Sequence, residues 1–475
     1  MILRSFVWIV LTIAIGSGFV SRLGVIHPKP LASLVASGCL AVGLGFGLSS
    51  AIFFLFSLAT SPLGNAFIIG EIGSLIASIA LFVYTLQHRR HLTGCAPVSP
   101  IVPDPKRRRF LPLVFFVLIV SAFSVFIGLS AKEPYGEWDA VFHWNLRAKF
   151  ILLGGAHWRD VFSDLLGESN PDYPLLTPMS VVRGWRYLGY ETVLVPVLVA
   201  MVFTFATAGL TCSSLAILRS RNQAFIAGLV LLGAPFLIIH GASQYADVPV
   251  GFFFLATIVL LCLKERLPES INSATVLAGT AAGLACWTKN EGFLFLVSLL
   301  TARVAAMVRS NRWASLLREM RLFAVGLAPI LAVVVYFKTS IAPLGGLVDA
   351  QGLGTIHRVT DIHRYLEIFR GFKKVILSFG GNELVSPIWL LFLYLVCVGI
   401  KVEPSDKPGI ITSATTVGFM LAGYVFVFLV HPADVGWNIA GSLDRLLLQL
   451  WPTAVFTYFL VACPPEEVPS IGRLL

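Results

Sequence analysis

The chain has 475 residues, 57% of them hydrophobic and only 13% charged. Soluble globular proteins carry about 25% charged residues, so this composition argues against a soluble fold. The formal net charge of +10 would suit a nucleic-acid partner, but its placement along the chain argues against one. The seven cysteines show no C-x-x-C pair and no metal-like spacing, and read as small apolar residues within spans.

The apolar residues fall in blocks of about 17–25, the length that crosses a hydrocarbon core. In chain order they predict spans at 5–21, 31–60, 66–86, 111–130, 191–218, 223–240, 247–263, 273–288, 292–308, 322–338, 386–400, 409–430 and 445–462. The expected fold is therefore an all-α polytopic membrane protein with about 12–13 transmembrane helices. The first block has no A-x-A site after it, which argues against a cleaved signal peptide. The 31–60 block carries Gly43 and Gly47 at G-x-x-x-G spacing, a helix-packing signal.

Basic residues set the orientation. Arg89, Arg90 and the run Lys106-Arg107-Arg108-Arg109 follow the third span, so that loop is read as cytoplasmic. Alternation then puts Arg219, Arg221, Lys264, Arg266 and the arginines of 303–321 on the same side. The positive charge is thus a topology signal. Two long segments, 131–190 and 339–385, are expected outside. The division reads as 1–90, N-terminal spans added to a core; 91–110, a Pro-rich basic cytoplasmic linker; 111–462, the core; and 463–475, a cytoplasmic tail.

The first outer loop opens with Tyr135-Gly136-Glu137-Trp138-Asp139. Asp139, His143 and Arg147 are spaced i, i+4, i+8 and share one helical face, whereas Val141, Trp144, Ala148 and Ile151 gather on another. This predicts a helix on the membrane surface with its polar face turned away. Either that face is merely solvated, or Asp139 is a base at the lipid–water boundary. In the second case Glu137, His143 and Tyr173 line the same cavity, and Arg147 joins the cations available to a phosphate. The Pro-rich stretch 170–178 reads as loop scaffold, and His157, Asp160 and Asp164 as surface charge rather than a metal cluster.

Gln244-Tyr245-Ala246-Asp247 precedes a span. Asp247 is either a first-turn acid or a second carboxylate facing the cavity, with Gln244 and Tyr245 beside it. Lys289 and Glu291, in the next outer turn, either snorkel or serve the cavity, Lys289 as a compact charge for a lipid phosphate. Arg445 opens the last span; Asp444 neutralises it, or it clamps a phosphate. The spans are nearly free of charge at depth, and apart from Glu71 the acids sit in loops or at span ends. That distribution disfavours a transporter or lipid flippase, the alternative from another class.

These segments resemble the GT-C glycosyltransferase superfamily, in particular the group of protein O-mannosyltransferases and aminoarabinose transferases. Tyr135-Gly136-Glu137-Trp138-Asp139 is similar to that group's first acidic motif and Gln244-Tyr245-Ala246-Asp247-Val248-Pro249 to its second. Gly283-Leu284-Ala285-Cys286-Trp287-Thr288-Lys289 is similar to its G-L-A-x-x-T-K segment. The resemblance covers about 111–310. It departs at Ala140, where the group has a second acid, and no large soluble C-terminal domain of the kind oligosaccharyltransferases carry is expected. It implies a GT-C-like fold and inverting transfer of a sugar from a polyprenyl-phosphate donor to an acceptor on the outer face of a bacterial plasma membrane. Asp139 would be the base, Asp247 the second acid and Lys289 the phosphate-side lysine. No cofactor is implied, although a divalent cation is left open. The acceptor class, whether protein, lipid or glycan, is open too, and membrane lipid is the remaining expected partner.

Overall fold

The computed structural model describes residues 2–21, 23, 29–89, 110–266, 271–309, 313–343, 352–379 and 386–467. The basic run 106–109 and most of the 463–475 tail lie outside them. The described chain is helical, and its one β feature is an isolated bridge between Ile400 and Ala462. In chain order the helices are α1 (Ile2–Ser21), α2 (Pro30–Thr60), α3 (Phe67–Arg89), α4 (Phe110–Lys132), α5 (Leu146–Leu153), α6 (Leu176–Leu188), α7 (Leu194–Leu218), α8 (Arg221–Gly233) and α9 (Pro235–Ala242). They continue as α10 (Asp247–Arg266), α11 (Ile271–Thr288), α12 (Glu291–Arg309), α13 (Trp313–Ser340), α14 (Gly352–Thr360), α15 (Ile362–Ser378), α16 (Pro387–Val398), α17 (Lys407–Val430) and α18 (Val435–Val461).

Among the described residues eight helices are long and apolar enough to cross a bilayer: α2, α3, α4, α7, α10, α12, α13 and α17. A ninth arises if α8 and α9 are one span, bent by 58°. The bend falls at Pro235, which removes a backbone donor and holds Ala234 in extended geometry. The other expected spans also coincide with helices, but α1 and α16 are short, and α18 carries Asp444, Arg445 and Gln449 along its length.

Every residue in the apolar window of α10 is buried; a helix apolar all round belongs at the centre. By contrast α4 exposes Leu113, Phe116, Val117 and Val120, the surface a lipid tail would cover. In lipid, helices associate through close packing more than through burial of apolar area. Small residues provide it: a Cβ at Gly279 would strike the Phe323 carbonyl and one at Gly326 the Val276 carbonyl, so α11 and α13 touch backbone to backbone. The expected packing role of Gly43 and Gly47 is met by contacts to Phe252 of α10 and Leu284 of α11. The N-terminal helices are therefore packed into the core.

At one end of the bundle, ion pairs join the helices. Arg266 binds Asp406 at 2.6 Å, and Arg303 binds Glu319 at 2.6 Å and Glu265 at 2.5 Å. Several of the basic residues read as a surface topology signal are thus buried partners of acids. The opposite end collects the α9–α10, α11–α12 and α17–α18 junctions and the loop after α4.

Candidate functional site

The loop after α4 is closed onto the α9–α10 turn. Gly136 has φ +76°, and a Cβ there would lie 2.6 Å from the Ser243 carbonyl oxygen, so only glycine fits without strain. The Glu137 N–H donates to that carbonyl at 3.3 Å. Gln244, also at positive φ, donates from Nε2 to the Pro134 carbonyl at 3.1 Å and accepts from Asn145 Nδ2 at 2.7 Å. Its amide is a clasp between two loops, not the cavity lining expected of it.

The chain then forms a π-helical turn, Ala140–Asn145, running into α5. Ala140, His143, Trp144, Arg147, Ala148 and Ile151 are all buried, whereas Trp138, Val141, Phe142, Phe150 and Leu153 are exposed. The expectation of a polar face turned away is therefore corrected. The polar residues and most of the apolar set share one inward face, and the outward face is aromatic and aliphatic. Arg147 is corrected too. Its guanidinium donates to the carbonyls of Tyr173 (3.0 Å), Ser169 (2.9 Å) and Asn170 (2.5 Å). Through Nη1 and Nη2 it braces the 169–173 loop, which leaves only the buried Nε without a partner. Burial pushes its pKa down to about 10, with the Asp172 carboxylate partly opposing the shift.

Two linked ionic groups form the site. In the first, Arg445 Nη1 donates to Asp139 Oδ2, and His143 Nε2 lies 3.8 Å from Asp139 Oδ1. The Arg445 guanidinium sits 5.3 Å from the Tyr245 ring centroid, and the Tyr245 hydroxyl is 3.4 Å from Glu137 Oε2. In the second, Lys289 Nζ lies 2.9 Å from both Asp247 Oδ1 and Glu291 Oε1. Gln449 Nε2 donates to the same two oxygens at 2.7 and 3.2 Å. Arg445 and Gln449 are one helical turn apart on α18, which links the groups. Tyr173 also joins them: it stacks on Trp144 at 5.6 Å and presents its ring 5.9 Å from Lys289 Nζ.

The two groups differ in depth. Asp247 is fully buried and the Lys289 side chain is 6% exposed, whereas Asp139 and Arg445 are 15% and 18% exposed. Burial opposes the charge on Lys289, but Asp247 and Glu291 hold its proton affinity above the ordinary lysine range. Tyr245 is pushed up to about 12 by burial and the Asp139 carboxylate. Burial lowers His143, with Asp139 partly opposing it.

Partners not singled out from sequence complete the site. Asp172 accepts from Asn290 Nδ2 at 2.7 Å, and Lys338 Nζ lies 3.3 Å from the same carboxylate, which ties the 170–178 loop to the α11–α12 turn and to α13. His240 stacks on Tyr245 at 5.7 Å and lies 3.6 Å from Asp444, so Asp444 faces His240 while Arg445 faces Asp139. Tyr424 donates to Gln449 at 3.0 Å. The signal that could have found Gln449 is a polar side chain one turn beyond Arg445 in an apolar stretch.

Several buried polar atoms here have no hydrogen-bond partner: Asp247 Oδ2, Glu291 Oε2, Arg445 Nε and His240 Nδ1. Buried polar groups are normally satisfied, so these atoms have bonding capacity that a polar ligand or water would meet. His157 and Asp160 are 3.7 Å apart and exposed, and the Asp164 side chain lies outside the described residues. No protein-family model, curated protein or solved structure matches the chain.

Proposed function

We propose that this is a GT-C-like membrane glycosyltransferase that takes a sugar from a polyprenyl-phosphate donor at the end of the bundle holding Asp139, with all thirteen expected blocks as its membrane helices. The observation that carries the reading is the Asp139–Arg445 pair beside an aromatic wall. A carboxylate able to take a proton and a guanidinium able to meet a phosphate lie in contact at the lipid boundary.

In the resting site Arg445 clamps Asp139. A donor phosphate competes for the guanidinium, whose Nε is unpartnered, and so frees the carboxylate. Asp139 then accepts the proton of the acceptor's hydroxyl or amine. The acceptor heteroatom bonds to the anomeric carbon as the bond from that carbon to the phosphate oxygen breaks. The electron pair leaves on the lipid phosphate, where Arg445 meets the developing charge, and the configuration inverts. Lys289 is already shared by two carboxylates. Its role is to hold Asp247 and Glu291 in place, and the phosphate contact falls mainly to Arg445.

The test is release of polyprenyl phosphate from a panel of lipid-linked sugars by the purified protein in liposomes. Arg445→Gln should weaken donor binding about tenfold or more, as expected for loss of a charge-assisted contact of about 1.5–3 kcal/mol. Tight donor binding by that variant would assign the phosphate to another residue. No turnover with any lipid-linked sugar would overturn the reading. A transporter or flippase gains no specific support, because the buried Glu71 is closed by Arg183 and Tyr187.

A further inference from the structure

Helix α15 has three distinct faces. One rests on the protein: Ile368 is buried in a cluster with Phe428, Leu429, Val435, Ile439 and Leu443. Arg364 Nη2 fixes that contact by donating to the Phe428 and His431 carbonyls, both at 2.9 Å. The second face is bare and apolar: Ile362, Leu366 and Phe369, spaced i, i+4, i+7, are 64%, 45% and 67% exposed. The third is polar and carries His363, Arg370 and Lys374, whereas Lys373, one turn beyond Phe369, ends the apolar stripe with a long side chain that can reach the polar boundary; all four are exposed. The only acid on the helix is Glu367. Among the described residues Arg370, Lys373 and Lys374 form no ion pair.

Water alone would leave the apolar stripe uncovered, and a bilayer interior would leave the cations unsolvated. A helix with an apolar stripe flanked by cations matches the boundary between acyl chains and headgroups. The surplus of positive charge selects an anionic surface. The position adds a consequence. Leu443, under Ile368, lies two residues before Arg445 on α18, so whatever seats α15 also seats the site end of that helix.

We propose that α15 is a docking site for anionic glycerophospholipid, with Ile362, Leu366 and Phe369 among the acyl chains and Arg370, Lys373 and Lys374 on headgroup phosphates. The inference stands apart from the sugar-transfer reading, since it needs only a bilayer around the bundle.

The experiment uses the full chain in nanodiscs of phosphatidylcholine alone or mixed with phosphatidylglycerol. Native mass spectrometry reads the retained lipid, and a nitroxide at Phe369→Cys, with the exposed Cys397 replaced by Ser, reads depth from collisions with oxygen or an aqueous nickel chelate. The expected result is preferential retention of phosphatidylglycerol, weakened at least about fivefold in Arg370→Gln/Lys373→Gln/Lys374→Gln. The label should be oxygen-accessible and move deeper when phosphatidylglycerol is present. Equal retention by the triple variant would overturn the proposal. So would a label more accessible to the chelate in both bilayers, the result expected if α15 instead receives a protein or a second copy. The label measurement stands even if the triple variant does not fold.

Discussion

Arg445 and Lys289 are both cations at the same end of the bundle, yet their surroundings give them different chemistry. Lys289 lies between two carboxylates and has little positive potential left over, whereas Arg445 has one carboxylate partner, Asp139, and an unpartnered Nε. Asp139→Asn keeps the shape and removes only the ability to accept a proton. If Asp139 is the base, turnover should fall about 100- to 10,000-fold with donor binding retained, because Arg445 loses a competitor. A variant that transfers sugar at near wild-type rate would move the base to Glu137 or Glu133. Beside this pair, His143 ties pH to the loop. Burial lowers its pKa below the usual histidine value, so the unfolded chain binds the proton better than the folded one. Stability is then intact at neutral pH and lost as pH falls through the ordinary histidine range near 6.5. Thermal melts at pH 7.5 and pH 5 should show this loss, and His143→Gln should reduce it.

At the scale of elements, α6 falls within the segment 131–190 that sequence assigns to an outer loop, and it is a buried helix locked to the N-terminal spans. Arg183 of α6 binds both Glu71 oxygens and donates to Thr12 at 2.7 Å, and both members of the ion pair are only 1% exposed. Losing one partner of such a pair leaves a buried charge uncompensated, at a cost of about 3–5 kcal/mol. Arg183→Met, which strands the Glu71 carboxylate, should lower the thermal midpoint markedly in detergent. An unchanged midpoint would show that the 1–90 helices are not held by this pair. Here the limits of sequence reading are physical. Apolar block length reveals the helices, because a bilayer imposes it. Glu71 was visible as an acid inside a span, but its partner sits 112 residues away, and no local pattern encodes a contact at that separation. The same holds for Asp139 and Arg445, 306 residues apart. Each was legible as a residue type at a span end, whereas their pairing was not. The inward face of the 140–151 segment is not legible from an α-helical wheel, because the segment begins with a π-helical turn.

Over the whole molecule, the two ends of the bundle carry different electrostatics, and this bears on orientation. One end holds Asp139, Asp247, Glu291 and Asp172 with their cations. The other holds Lys264, Arg266 and Arg303 matched to Glu265, Glu319 and Asp406. Because that matching neutralises part of the basic charge, the positive-inside argument rests more heavily on the residues outside the pairs, such as Arg221, and on 106–109. The orientation proposed from it has that end in the cytoplasm and the Asp139 end outside. Asp160 lies on the Asp139 side in an exposed turn, with its side chain 77% accessible, which makes it a clean reporter. A single cysteine at position 160 should react with a membrane-impermeant maleimide in intact cells, and a cysteine replacing Asn272, at the start of α11, only after lysis. Labelling in the reverse order would invert the protein and put the site on the cytoplasmic face, where an extracytoplasmic acceptor could not reach Asp139. The proposed reaction would then have to draw its acceptor from the cytoplasm.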